Sequence, residues 1–87
     1  MLVRIIDDVV YRELSGESVL LNLNSGVYFG LDEIGTRIWY LLAEHGDSEK
    51  IIPMLIAEYA VSEAQLRADV SGLIAQLSGK GLLKIES

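Results

Sequence analysis

The chain has 87 residues, of which 51% are hydrophobic, and this predicts one folded domain spanning residues 1–87 rather than a disordered segment. Its 13 acidic and 7 basic residues give a net charge of −6. Nucleic-acid binding depends on basic residues that neutralise phosphates, so we expect no nucleic-acid partner. No apolar run approaches the roughly 20 residues of a membrane span, so we expect no membrane partner either.

The composition also bears on the compartment. There is no cysteine, which excludes disulfides, thiolate metal ligands and a cysteine nucleophile. The N-terminal residues lack the basic start and long apolar region of a signal peptide. We therefore expect a cytoplasmic protein.

The first third of the chain has the composition of strands. Val9 to Leu14 is β-branched and aromatic, and Ser15 to Glu17 is a natural hairpin turn. In the next stretch Val19, Leu21 and Leu23 alternate with Leu20 and Asn22. This pattern fits a strand with one buried face.

A third strand is predicted from Val27 to Leu31, after a turn at Asn24 to Gly26. Gly26 can supply the positive φ that such a turn needs. Because short turns join the three strands, an antiparallel meander is the economical topology.

Helices follow the strands. Asp32 is a plausible N-cap for the first helix and Gly46 is a stop signal. The second helix is expected to start at Asp47 or Ser48, although Pro53 favours a later start or a bend.

The third helix has a capping box at Ser62 to Gln65 and ends at Gly79 and Gly81. Residues 82–85 are expected to return as a short strand or to pack as a tail. The order is three strands and then three helices (βββααα), which indicates an α+β fold resembling a winged helix-turn-helix.

The sequence shows no active site. His45 suits a helix end, where a cation interacts well with the dipole, and Asp7 and Asp8 have no third ligand nearby for a metal. We expect a protein without catalytic activity, cofactor or metal. The alternative is a winged-helix DNA-binding or regulatory module, although its third helix offers few basic residues for groove reading.

The third predicted strand lacks the usual protection of a sheet edge. Val27 to Leu31 contains neither Lys nor Pro, the residues that commonly block edge pairing. Such an edge can bind an extended peptide or pair with a second copy in a homodimer. Alternatively, a helix or the C-terminal tail covers it, and the residues alone leave these interpretations open.

Several segments resemble the PqqD-like family. They are Leu20 to Trp39, the Glu58–Tyr59 pair, the capped third helix and Lys80 to Leu83. Within the family the chain is most similar to the standalone leader-binding proteins of lasso peptide biosynthesis.

The resemblance implies a recognition element for a RiPP, a ribosomally made and later modified peptide. Such an adaptor, or peptide chaperone, is not an enzyme. It would bind the leader segment of the precursor by β-strand addition to the third strand and present it to a leader peptidase and a macrocyclase.

The resemblance also implies which residues form the site. The strand would supply its backbone through Val27, Tyr28, Phe29, Gly30 and Leu31. The third helix would line the groove, and we expect Arg67, Val70 and Ile74 there, with Asp69 beside them to pair with a basic leader residue. Its other apolar side chains, Leu66, Leu73 and Leu77, are then expected to face the core.

Overall fold

A computed structural model describes residues 1–87, and it is an α+β fold as predicted. Three strands precede three helices, and a short strand at each end of the chain adds a second, smaller sheet. The elements are β1 (Val3–Ile5), β2 (Val9–Leu14), β3 (Glu17–Asn22), β4 (Tyr28–Leu31), α1 (Glu33–His45), α2 (Ser48–Glu58), α3 (Glu63–Gly79) and β5 (Leu83–Ile85).

The main sheet is an antiparallel meander in the order β2-β3-β4, which confirms the predicted topology. Ser15 and Gly16 connect β2 to β3, both with positive φ (55° and 84°), the conformation of a type I′ turn whose twist suits a hairpin. Gly26, at φ 77°, lies in the turn before β4. The short turns therefore leave β2 and β4 as the two edges of the sheet.

The buried face of β3 is opposite to the one that the alternation suggested. Leu20 and Asn22 are buried, whereas Val19 and Leu23 are exposed. Asn22 is buried because its side chain is satisfied: Nδ2 donates to the Gly81 carbonyl at 2.9 Å, and Oδ1 accepts from two backbone N–H groups of the following turn.

The second sheet pairs β1 with β5, with Val3 opposite Ile85. The C-terminal strand was one of the two predicted alternatives, but the N-terminal strand was not predicted. The backbone of β1 also binds the α1–α2 junction, since Val3 N–H donates to the Gly46 carbonyl at 2.9 Å. The small sheet thus joins the two ends of the chain to the helical half.

The three helices begin and end close to the predicted signals. The Asp32 carboxylate accepts from Gly35 N–H at 2.7 Å at the start of α1, and the Ser62 hydroxyl accepts from Gln65 N–H at 3.1 Å at the start of α3. Gly46 ends α1 with φ 69°. Pro53 lies inside α2, which nevertheless starts at Ser48, so the expectation of a later start was wrong.

The core lies between the helices and the inner face of the main sheet. Leu20 from β3, Leu42 from α1, Leu55 from α2 and Ile74 from α3 are fully buried in one cluster. None of the helices is long and apolar enough to cross a lipid bilayer.

Candidate functional site

The free edge of β4 presents backbone groups to solvent in a definite pattern. Asn22 N–H donates to the Val27 carbonyl at 2.8 Å, and the register continues with Leu20 opposite Phe29 and Ser18 opposite Leu31. In an antiparallel pair the hydrogen-bonded positions alternate. Val27, Phe29 and Leu31 therefore bond to β3, and the N–H and C=O groups of Tyr28 and Gly30 point away from the sheet.

A groove runs beneath this edge, between β4, the start of α1 and the middle of α3. Its volume is about 420 Å³. The groove is open because α3 is packed on α2 and β5 rather than on β4. The interpretation in which a helix or the C-terminal tail covers the edge is therefore wrong, since β5 pairs with β1 instead.

The groove has an apolar floor and an acidic rim. Phe29 and Ile38 contribute apolar surface from β4 and α1, and Leu73 contributes it from α3. The carboxylates of Asp32 and Asp69 also line the groove, and no Lys or Arg does. Such a groove suits apolar side chains and repels anions.

The structure separates the predicted β4 residues by face. Phe29 and Leu31 lie on the helix-facing side and line the groove. Tyr28 is 73% exposed and, like Gly30, lies on the outer face of the sheet. Val27 comes just before β4. Its carbonyl extends the β3–β4 ladder by accepting a hydrogen bond from Asn22 N–H.

The predicted rotation of α3 was wrong. Val70 and Ile74 are 1% and 0% exposed, so they belong to the core rather than to the groove. Leu73, which we expected in the core, lines the groove beside Asp69 and Gln76. These three residues lie four and three positions apart, on one face of the helix.

Arg67 also lies away from the groove, because its guanidinium is bound elsewhere. It forms ion pairs with Glu49 of α2 at 2.8 Å and with Glu63 of α3 at 3.0 Å. These hydrogen bonds raise the pKa of Arg67. Of the four α3 residues proposed from the sequence, only Asp69 reaches the groove.

The opposite edge of the sheet, at β2, has a different environment. Glu13 lies on the helix-facing side of β2, opposite Ser18, and it accepts a hydrogen bond from the Tyr40 hydroxyl of α1. That hydrogen bond raises the pKa of Tyr40. The Tyr40 ring also contacts Tyr11 edge-on, with centroids 5.3 Å apart. A charged side chain turned inward at an edge strand is a common protection against pairing.

Residues 17–83 match the family model described as coenzyme PQQ synthesis protein D (PqqD). The chain belongs to the PqqD family. This confirms the resemblance, and in this PqqD-family chain the matched residues include β4, α1 and α3.

Two solved structures are similar to this PqqD-family chain. One is described as TbiB1 in complex with the TbiA(beta) leader peptide; it is 39% identical, with a TM-score of 0.89 over 97% of this chain and 98% of that chain. The other is described as lasso peptide synthetase B1 complexed with the leader peptide; at 21% identity, a TM-score of 0.86 and coverage of 98% and 100%, it shows the common fold. No curated protein matches the chain.

Proposed function

We propose that this PqqD-family domain is a non-catalytic adaptor that binds the leader segment of a ribosomally made precursor peptide. The observation that carries the proposal is the uncovered edge of β4 above an apolar groove. An extended peptide can add to such an edge as a further strand, with its backbone supplying affinity and its side chains supplying specificity. The leader peptides described in the two similar structures support this ligand class.

The geometry of β4 supports one mode of leader binding. Its backbone would pair with the outward groups of Tyr28 and Gly30. Side chains beside Phe29 and Leu31 would then point into the groove, because alternate residues of a strand face the same way. Apolar leader side chains two residues apart would fill the floor and dominate the affinity.

The rim of the groove favours a basic residue in the leader. Asp69 uses Oδ1 to accept from Gln65 at 2.8 Å, and its other carboxylate oxygen is available. The net charge of −6 also attracts cationic peptides during association. A single exposed ion pair of this kind contributes only about 0.2–1 kcal/mol.

The two edges of the sheet differ in a way that selects β4. At β2, Glu13 is turned toward the helices and engaged by Tyr40, so a strand added there would meet a charge. The β4 edge has no charged residue within the strand. We infer that a leader binds at β4 alone.

The wider role is a proposal that rests on the resemblance to leader-binding proteins. We propose that residues 1–87 act as one recognition domain and present the leader to a leader peptidase and an ATP-dependent macrocyclase. Without peptide, two copies would pair β4 with β4 in a homodimer. The leader would compete with the second copy for this edge. A DNA-binding role gains no support from α3, since Arg67 is neutralised by Glu49 and Glu63.

The direct test is fluorescence polarisation with a labelled TbiA(beta) leader peptide and with the leader of any short precursor encoded beside this gene. We expect saturable binding of at least one leader and no binding of its scrambled sequence. A chain that binds neither leader, while remaining folded by circular dichroism, would refute the proposal. Sedimentation with and without leader tests the homodimer, which the leader should dissociate.

A further inference from the structure

A second groove runs along a different face of α1 from the one beside β4, and we call it the α1 groove. Its volume is about 190 Å³, less than the roughly 300 Å³ of the smallest typical ligand pockets. Glu33 lines it together with residues three, four and seven positions further on, namely Thr36, Arg37 and Tyr40. This spacing places the four residues on one face of the helix. The α1 groove therefore has room for one side chain rather than for a whole cofactor.

Aromatic and acidic side chains form the walls of the α1 groove. Tyr40 and Tyr59, the residue that follows α2, contribute two phenol rings. Glu33 and Glu13 of β2 contribute two carboxylates. Thr36 also lies in the lining, but it is buried and its hydroxyl is already hydrogen-bonded to the sheet. The groups that remain for a ligand are thus rings and carboxylates.

The two carboxylates of the α1 groove have no counter-ion in the chain. Arg37 is the one basic residue of the lining, and its guanidinium is engaged by both carboxylate oxygens of Glu58, at 2.6 to 3.2 Å. Neither Glu13 nor Glu33 forms an ion pair. Two like charges therefore face one small groove, and a bound cation would relieve their repulsion.

The Tyr40 ring is held in place before any ligand binds. Its hydroxyl donates to Glu13, and its ring packs edge-on against Tyr11, with centroids 5.3 Å apart. Ordering a mobile side chain is one of the costs of binding. Because Tyr40 is already ordered by contacts within the chain, it offers its aromatic surface to a ligand with little of that cost.

We propose that the α1 groove binds the guanidinium group of an arginine side chain from a partner protein. The planar guanidinium stacks on aromatic rings and pairs with carboxylates, and the α1 groove offers both. Lysine suits it less well, because its ammonium is a compact and strongly hydrated point charge. The α1 groove shares no residue with the leader groove, so a bound leader would leave this docking contact free.

An NMR titration of the isotope-labelled domain with N-acetyl-arginine amide tests the site. This probe carries the guanidinium between two neutral ends, as an arginine within a protein chain does. We expect saturable shifts of the backbone signals of Gly16, Tyr40 and Tyr59, with a Kd that is roughly millimolar, as suits so small a ligand. N-acetyl-lysine amide should bind about threefold more weakly, and the uncharged N-acetyl-citrulline amide should not bind.

Glu33→Gln removes one of the two uncompensated charges, and Glu44→Gln is its matched control. Both residues are exposed on α1, but Glu44 lies outside the groove lining. Glu33→Gln should weaken binding of the arginine probe by about 2- to 5-fold, whereas Glu44→Gln should leave it unchanged. Tyr59→Leu keeps apolar bulk but removes a ring, so it should also weaken binding. Circular dichroism establishes that each variant is folded.

The site is refuted if the probe gives no saturable shifts, or if Glu33→Gln binds it as tightly as wild type. Equal shifts near other exposed carboxylates, such as Asp7 and Asp69, would also overturn the site, since they would indicate attraction by net charge alone. Free L-arginine binding more tightly than the capped probe would indicate a metabolite site and overturn the docking role. Leader binding is measured separately and should be unchanged in Glu33→Gln, so its failure would overturn the proposed function and not this site.

Discussion

Replacing Tyr28 with proline tests strand addition at β4 directly. Tyr28 N–H points to the free edge, so the substitution removes a donor from the binding edge and none from the β3–β4 ladder. Proline is tolerated on edge strands. The domain should therefore stay folded, whereas Phe29→Pro would break an internal ladder bond and unfold part of the sheet.

The size of the effect follows from one lost hydrogen bond. A backbone hydrogen bond contributes about 0.5–1.5 kcal/mol net, and a buried acceptor left without a partner costs about 1–3 kcal/mol. The leader carbonyl opposite Tyr28 would lose its donor at the rim of the groove. We expect leader affinity to fall by roughly tenfold, or about 1.4 kcal/mol.

Fluorescence polarisation with labelled leader measures this change, and two controls isolate its cause. Tyr28→Ala keeps the N–H and removes the exposed ring, so its affinity should lie closer to wild type. Tyr11→Pro removes an equivalent outward N–H from the β2 edge and should not affect binding. Equal affinities for Tyr28→Pro and Tyr28→Ala, in folded proteins, would show that the leader does not pair with β4.

Three further predictions concern charge, folding and pH. Asp69→Asn should weaken leader binding by about 2- to 5-fold at low salt and less at high salt, whereas Asp7→Asn, with the same change in net charge, should not. Asn22→Ala should lower the free energy of unfolding by about 2 kcal/mol, because it removes three side-chain hydrogen bonds, to the Gly81 carbonyl and from the N–H groups of Asn24 and Ser25, and should lower the melting temperature by about 10 °C. The hydrogen bond from Arg37 lowers the pKa of Glu58 below its ordinary value of 4.5, so the pair stabilises the fold above that value and this stabilisation is lost as the pH falls through the lowered pKa. In urea titrations, wild type should therefore exceed Glu58→Gln in stability at neutral pH, by a margin that shrinks below pH 4.5; a constant margin would contradict this assignment.

Local signals predicted the elements that depend on neighbouring residues. The turn at Ser15 and Gly16, the N-caps at Asp32 and Ser62 and the stop at Gly46 all lie where the sequence indicated. Each of these features is determined by residues a few positions apart. The meander and the unprotected edge of β4 followed from them.

The remaining features depend on contacts across the whole chain. The strand β1 has only three residues and pairs with β5 at the other end of the sequence, so no local pattern reveals it. Asn22 is buried because it meets the Gly81 carbonyl, which no alternation rule anticipates. Both Leu73 and Ile74 belong to one apolar stripe of α3, and which of them faces the groove depends on how α2 and β5 position the helix.

The carboxylate of Glu13, held by Tyr40 at the β2 edge, has a consequence for assembly. A molecule with two reactive edges can add copies at both and grow into a fibre, as happens with head-to-tail contacts. Because a strand added at β2 would meet the Glu13 carboxylate, we expect only the β4 edge to pair with another strand. One strand added at β4, from a leader or from a second copy, leaves no further site for growth. We therefore expect the peptide-free protein to stop at a dimer rather than to grow into fibres as its concentration rises.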